Sequence, residues 1–169
     1  ERKGSGNYHL IIHGKAAHAG RAFHEGANAI AGAAIIAAQL HALNGQRAGV
    51  TVNVAKIDGG GPLNVVADNA VVRFNVRVPD AQSASWVVDS INEICSQPPF
   101  DGLRLHLHGG MTRAPKPMDA SQTALFNAVK TAGDLLGQRI AWQPSGGVCE
   151  GNNLHAAGLP NIDTLGVIG

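Results

Sequence analysis

An α+β fold of β-α-β-β-α-β order follows from three observations on the sequence. Two stretches, Gly49 to Asp58 and Ala70 to Val78, alternate apolar and polar residues as half-buried strands do. Two others, starting at Asn28 and at Pro79-Asp80, carry apolar residues at helical spacing. Shorter alternating runs, Asn7 to Gly14 and Leu103 to His108, open and close the series. That order is the ferredoxin-like arrangement, a four-stranded antiparallel sheet with both helices on one face and the other face open.

Each element has its own justification. In Asn7 to Gly14, Leu10 and Ile12 share one face, while His9, Ile11 and His13 share the other. KAAHAGRAFHEG then reads as a loop. Asn28 stands where a helix cap belongs, and Ile30, Ile35, Ile36, Leu40 and Leu43 form an apolar stripe until Asn44-Gly45 ends it. The small residues Ala29, Gly32, Ala33, Ala37 and Ala38 suit close approach by another element, so a partner surface is expected there. Val50, Val52 and Val54 define the next strand, and the loop GGGPLN leads to a second one in which Val72, Phe74, Val76 and Val78 alternate with Arg73, Asn75 and Arg77. These two should pair antiparallel. Trp86, Val87, Ile91 and Ile94 mark a helix ended by Pro98-Pro99. After Ala114-Pro115-Lys116-Pro117 the texture changes: a helix over 121–136, a short strand over 140–143, the turn Ser145-Gly146-Gly147, a short helix over 152–157 and a strand-like 161–167. This reads as the closing third of an α/β domain, so residues 1–115 and 116–169 are expected to be separate units.

Composition narrows the partners. The 169 residues hold 13 Lys and Arg against 12 Asp and Glu, a balance without the clustered positive charge that nucleic acid or an anionic membrane requires. Charged residues are only 15%, below the roughly 25% of typical domains, so part of the surface is expected to be covered. The longest apolar stretch, Ala27 to Leu43, is interrupted and falls short of the ~20 residues of a membrane span. Two distant cysteines, Cys95 and Cys149, suit a reducing, cytoplasmic setting. With neither an initiator Met nor a leader pattern, the sequence reads as a piece of a longer chain.

Several side chains are candidates for chemistry. His18 lies in the small-residue loop GKAAHAG directly after a strand, where an imidazole is exposed and positioned; on pattern alone a plain surface histidine is the favoured alternative. Arg77 lies opposite the core face, placed either to clamp a carboxylate or simply to be solvated. Asn64 serves a turn or a ligand. The Ser145-Gly146-Gly147 backbone before a short helix suits an anion, although Gly-rich turns are usually only turns. His9 and His13, with His106 and His108, would share the open face of neighbouring strands, a weak signal for a transition metal. No serine-hydrolase elbow or activated cysteine context is present.

Three segments, RKGSGNYHLIIHGKAAHAGRAFHEGANAI, GGGPLNVVADNAVVRFNVRVP and SGGVCEGNNLHAAGLPNIDTLGVIG, together resemble the dinuclear-zinc amidohydrolases. These include glutamate carboxypeptidase, acetylornithine deacetylase, succinyl-diaminopimelate desuccinylase and aminoacylase. The resemblance implies that residues 1–115 are a lid and dimerisation domain and 116–169 part of a zinc-binding catalytic domain. It gives His18 the role of the lid histidine that polarises the scissile carbonyl, in many members within the other subunit's active site. By the same resemblance Arg77 receives a substrate carboxylate, Asn64 helps to hold the substrate, and Ser145, Gly146 and Gly147 line the pocket. Glu150 stands where relatives commonly carry Asp, so no role is carried to it. The resemblance implies two zinc ions in the intact enzyme, with cobalt or manganese as alternatives, but their ligands fall outside this sequence; none is assigned here and the chain alone is expected to be inactive. The implied function is hydrolysis of an amide bond in a small-molecule or peptide substrate, by a homodimer joined through the lid. The alternative is a non-catalytic dimerisation or binding module on the same fold.

Overall fold

Alternation decides which face of the sheet is buried. In the computed structural model, which describes residues 1–166, strands β1 (Gly4–His13), β2 (Thr51–Gly59), β3 (Asn69–Val78) and β4 (Arg104–Arg113) form one antiparallel sheet in the order β2-β3-β1-β4. This is the ferredoxin-like order expected from the sequence, with the first and last strands adjacent. One face carries Tyr8, Leu10, Ile12, Val52, Val72, Phe74 and Val76, all buried. Helices α1 (Ala29–His41) and α2 (Ala81–Ser96) cover it with Ala33, Ile36 and Leu40 from one and Val87, Ile91 and Cys95 from the other. Tyr8 and Phe74 stack at 5.1 Å between ring centroids within this layer.

Local chemistry sets the helix starts. The Asn28 side chain accepts from the Ile30 and Ala31 N–H groups at 3.0 and 3.1 Å, and Asp80 accepts from the Ser83 N–H at 2.7 Å. Both are side-chain caps of otherwise unpaired helix donors.

Some expectations are corrected. Ala29, Gly32 and Ala33 face inward rather than towards a partner, because α1 lies close to Leu103, whose Cδ1 would sit 2.4 Å from a Cβ at position 32. Ile35, counted in the apolar stripe, is 42% exposed instead. β4 runs through Gly109-Gly110 to Arg113, well beyond His108. Gly109 permits this at φ +100°, where a Cβ would lie 2.1 Å from the Asn7 carbonyl oxygen. In β2 the register shifts between Val54 and Lys56. This bulge carries Lys56 and Asp58 onto the open face, where both Lys56 and Arg73 pair with Asp58.

Helices α3 (Ala120–Leu135) and α4 (Glu150–Ala156) follow the sheet. No strand forms over 140–143 or 161–166, since nothing there supplies a ladder; Val167, the end of the strand-like run, lies outside the described residues. The segment does not float free. Asp163 accepts from Arg2 at 2.9 and 2.6 Å and from Lys116 at 2.9 Å, and these bonds, Arg2 foremost, hold its carboxyl well below the usual carboxylate range despite partial burial. Asn152, fully buried, donates to the carbonyls of Lys3 and Ala114 at 3.0 and 2.8 Å.

Candidate functional site

The expected site residues fall into two groups at opposite ends of the sheet. The first lies beyond the end of β1. There the loop carrying His18 lies antiparallel to the loop carrying Asn64: the Ala19 N–H donates to the Asn64 carbonyl and the Val66 N–H to the Ala17 carbonyl, both at 2.9 Å. His18 and Asn64, remote in sequence, are thus held side by side, and both are exposed. His18 Nδ1 accepts from the Gly20 N–H at 3.2 Å. In the neutral ring the proton therefore sits on Nε2, which is left free to donate.

The second group surrounds the start of β1. Arg77 is the cross-strand partner of Ser5. Its Nε donates to Asn75 Oδ1 at 3.0 Å, and Asn75 Nδ2 in turn donates to Ser5 Oγ at 3.2 Å and to the Gly6 carbonyl at 2.8 Å. Among the described residues no carboxylate pairs with Arg77, and its buried Nη1 has no acceptor. A buried charged donor without a partner is costly unless an anion arrives.

The turn of Ser145, Gly146 and Gly147 joins this second group through Arg2 and Lys3. Ser145 accepts from the Lys3 N–H at 3.3 Å, and Arg2 Nη1 donates to Ser145 Oγ and to the Gly147 carbonyl, each at 3.3 Å. The Gly147 N–H already donates to Ser145 Oγ at 3.2 Å, so the turn is braced internally. Arg2 and Asp163, which organise this end, carry no local sequence signal that singles them out.

Distance separates the groups. Ser5 and His13 mark the two ends of β1, eight residues apart, or about 26 Å along a strand. One chain therefore does not bring His18 and Arg77 together.

The open-face histidines form pairs rather than one cluster. His9 lies opposite His108, and the His13 and His106 rings meet edge to face at 5.6 Å. Among the described residues no group of three or more His, Cys, Asp or Glu side chains is arranged to hold a metal ion. The zinc pair implied by resemblance thus has no ligand set within them. Cys95 is inert as a nucleophile, since burial pushes its thiol up to about 12. A cleft of about 450 Å³ opens between α3 and the segments after it, walled by Phe126, Val129, Ile140, Trp142 and Ile162.

Fold and placement together define a two-helix, four-stranded lid domain with an open sheet face. A family model described as a peptidase dimerisation domain matches residues 1–102, and the chain belongs to that family. No curated protein matches it significantly. Among solved structures it is similar to the aminopeptidase PepT of Bacillus cereus (22% identity, TM-score 0.72), a match that covers 94% of this chain and 42% of that one. A tripeptidase from Staphylococcus aureus matches at 22% identity and TM-score 0.74 with the same coverage. An aminobenzoyl-glutamate utilization protein from Klebsiella pneumoniae matches at 25% identity and TM-score 0.66, over 85% of this chain and 38% of that one. The chain spans about two-fifths of the length of these structures.

Proposed function

We propose that this chain supplies the lid and part of the catalytic body of a metal-dependent amide hydrolase, a peptidase or N-acyl amino acid deacylase, working as a homodimer on a small substrate with a carboxylate. The observation that carries the reading is Arg77, an uncompensated guanidinium with a buried donor on the open face. Membership of the peptidase dimerisation domain family supports the hydrolase class. Aminobenzoyl-glutamate, in the name of one similar protein, is itself an N-acyl amino acid with carboxylates.

Each residue then has a task. Arg77 receives the carboxylate through charge-assisted hydrogen bonds and so fixes the substrate's orientation. His18, with its proton on Nε2, donates to the scissile carbonyl oxygen and holds the negative charge that develops there. Asn64, on the loop paired with that of His18, helps to hold the substrate. The Ser145 turn, held by Arg2 and Lys3, lies at the same end of the sheet as Arg77.

Dimerisation makes these tasks compatible. β2 is an edge strand; its Ile57 and, on α1, Ile35 are 44% and 42% exposed. Pairing β2 antiparallel with its two-fold copy extends the sheet to eight strands and reverses direction across the junction. Since Thr51 lies at the Arg77 end and Gly59 at the His18 end, the partner's His18 end then comes beside this chain's Arg77 end. The alternative, a module kept only for assembly, leaves Arg77 and His18 without a use.

The test is to express the complete reading frame with zinc and assay N-acyl amino acids and short peptides. Hydrolysis by a dimer is expected, with Arg77→Ala raising KM and His18→Ala lowering kcat by about 10²–10³-fold. A folded, metal-loaded protein that cleaves none of them, or one that sediments as a monomer, overturns the reading.

A further inference from the structure

We propose that Arg113 is a second carboxylate-receiving residue beside Arg77, so that the site selects substrates carrying two carboxylates separated by two or three methylene groups. The proposal rests on the amide-hydrolase reading above and specifies the substrate class.

The geometry begins with Ser5. It is the register partner of Arg77 on β3 and of Arg113 on β4, so the two arginines flank one residue on the open face. Two strand spacings place their Cα atoms about 10 Å apart, and both side chains are long enough to lean over Ser5 towards a common ligand. Among the described residues three buried polar side-chain atoms lack a partner: Arg77 Nη1, Arg113 Nε and the Tyr8 hydroxyl. Tyr8 lies on the helix-covered face. The other two are the donors that flank Ser5.

Charge adds a second, independent reason. Among the described residues Arg77 bonds only to the neutral amide of Asn75, and Arg113 pairs through Nη2 with Glu150, whose side chain is 75% exposed. Among the described residues one solvated carboxylate thus serves the two cations, and it pairs with Arg113 alone. A planar guanidinium grips a carboxylate with two prongs, and at Arg113 one of them, Nη2, is engaged while the adjacent Nε is idle. Glu150 therefore acts as a displaceable placeholder. A monocarboxylate satisfies Arg77 alone; a dicarboxylate satisfies Arg77 with one end and takes both prongs of Arg113 with the other.

The experiment is an NMR titration of the ¹⁵N-labelled 169-residue chain, following the arginine Nε–H signals assigned through Arg77→Gln and Arg113→Gln. Glutarate should shift both signals, and butyrate only that of Arg77. Arg113→Gln should weaken glutarate binding by about tenfold while leaving butyrate within about twofold, as expected for the loss of a charge-assisted contact. Glu150→Gln should tighten glutarate binding. Glutarate shifting Arg77 alone, or binding Arg113→Gln as it binds the unaltered chain, overturns the proposal and leaves the carboxylate role of Arg77 standing. If neither ligand moves the Arg77 signal, the carboxylate reading of the whole site fails with it. Arg77→Lys and Arg113→Lys, which keep the charge, supply the same assignments if a glutamine variant folds poorly.

Discussion

The sheet with α1 and α2 is held by apolar burial, whereas the segment after β4 is held by a polar clasp. Leu10, Ile12, Ile36, Leu40, Val72 and Ile91 are fully buried in the first region. In the second the buried side chains are Lys116, Gln122 and Asn152, while Leu135 and Leu136 stand 83% and 74% exposed. A hydrophobic core is non-directional and self-sufficient, but a clasp of charges and amides holds only while every partner is present. The first region should therefore behave as a stable unit and the second as a docked one.

The largest effect that sharpens this contrast is expected in the core. Leu10→Ala should cost about 2–5 kcal/mol of global stability, read from urea unfolding. An unchanged midpoint would mean that the sheet does not govern stability. Next, Asp163→Asn strands the buried Lys116 and releases Arg2, which should loosen the segment by about 2–3 kcal/mol. Hydrogen exchange would show faster opening across α3 and α4 with β1 and β3 unaffected; uniform loss across the chain would break the comparison.

Acid should have a related effect. Because the folded Asp163 carboxyl titrates below its ordinary value, its stabilisation is complete above the usual carboxylate range, near pH 4, and fades as the pH falls through the lower folded value. Limited proteolysis from pH 6 down to pH 2 should cut the segment first, and cleavage of both regions together would contradict this. The smallest effect belongs to Leu135→Ala. It should change stability by no more than about 0.5 kcal/mol, since that side chain is already solvated. A larger cost would reveal packing on this surface.

Much of the first region was legible because its signals are local. Val72, Phe74, Val76 and Val78 alternate without interruption, and Asn28 and Asp80 announce the helix starts. The extension of β4 was hidden because Gly109-Gly110 resembles a turn in sequence, and only the close Asn7 carbonyl explains why glycine continues the strand. The bulge at Val54 to Lys56 was equally hidden: Val50, Val52 and Val54 alternate up to it, and nothing afterwards marks the change of face. Ile140 to Gln143 misled because strand propensity needs a neighbouring strand, and none lies beside it. Of the site, the residues were visible but not their grouping. The pairing of the His18 and Asn64 loops depends on two backbone hydrogen bonds between distant segments, and the separation of His18 from Arg77 depends on which end of β1 each occupies.

That separation has a genetic consequence. In the proposed dimer each pocket combines the His18 end of one chain with the Arg77 end of the other. An allele encoding His18→Ala and an allele encoding Arg77→Ala would each be impaired alone. Expressed in one cell, they would assemble mixed dimers in which one pocket inherits both defects and the other inherits neither. Two recessive lesions in the same gene would then complement each other, as lesions in different genes ordinarily do.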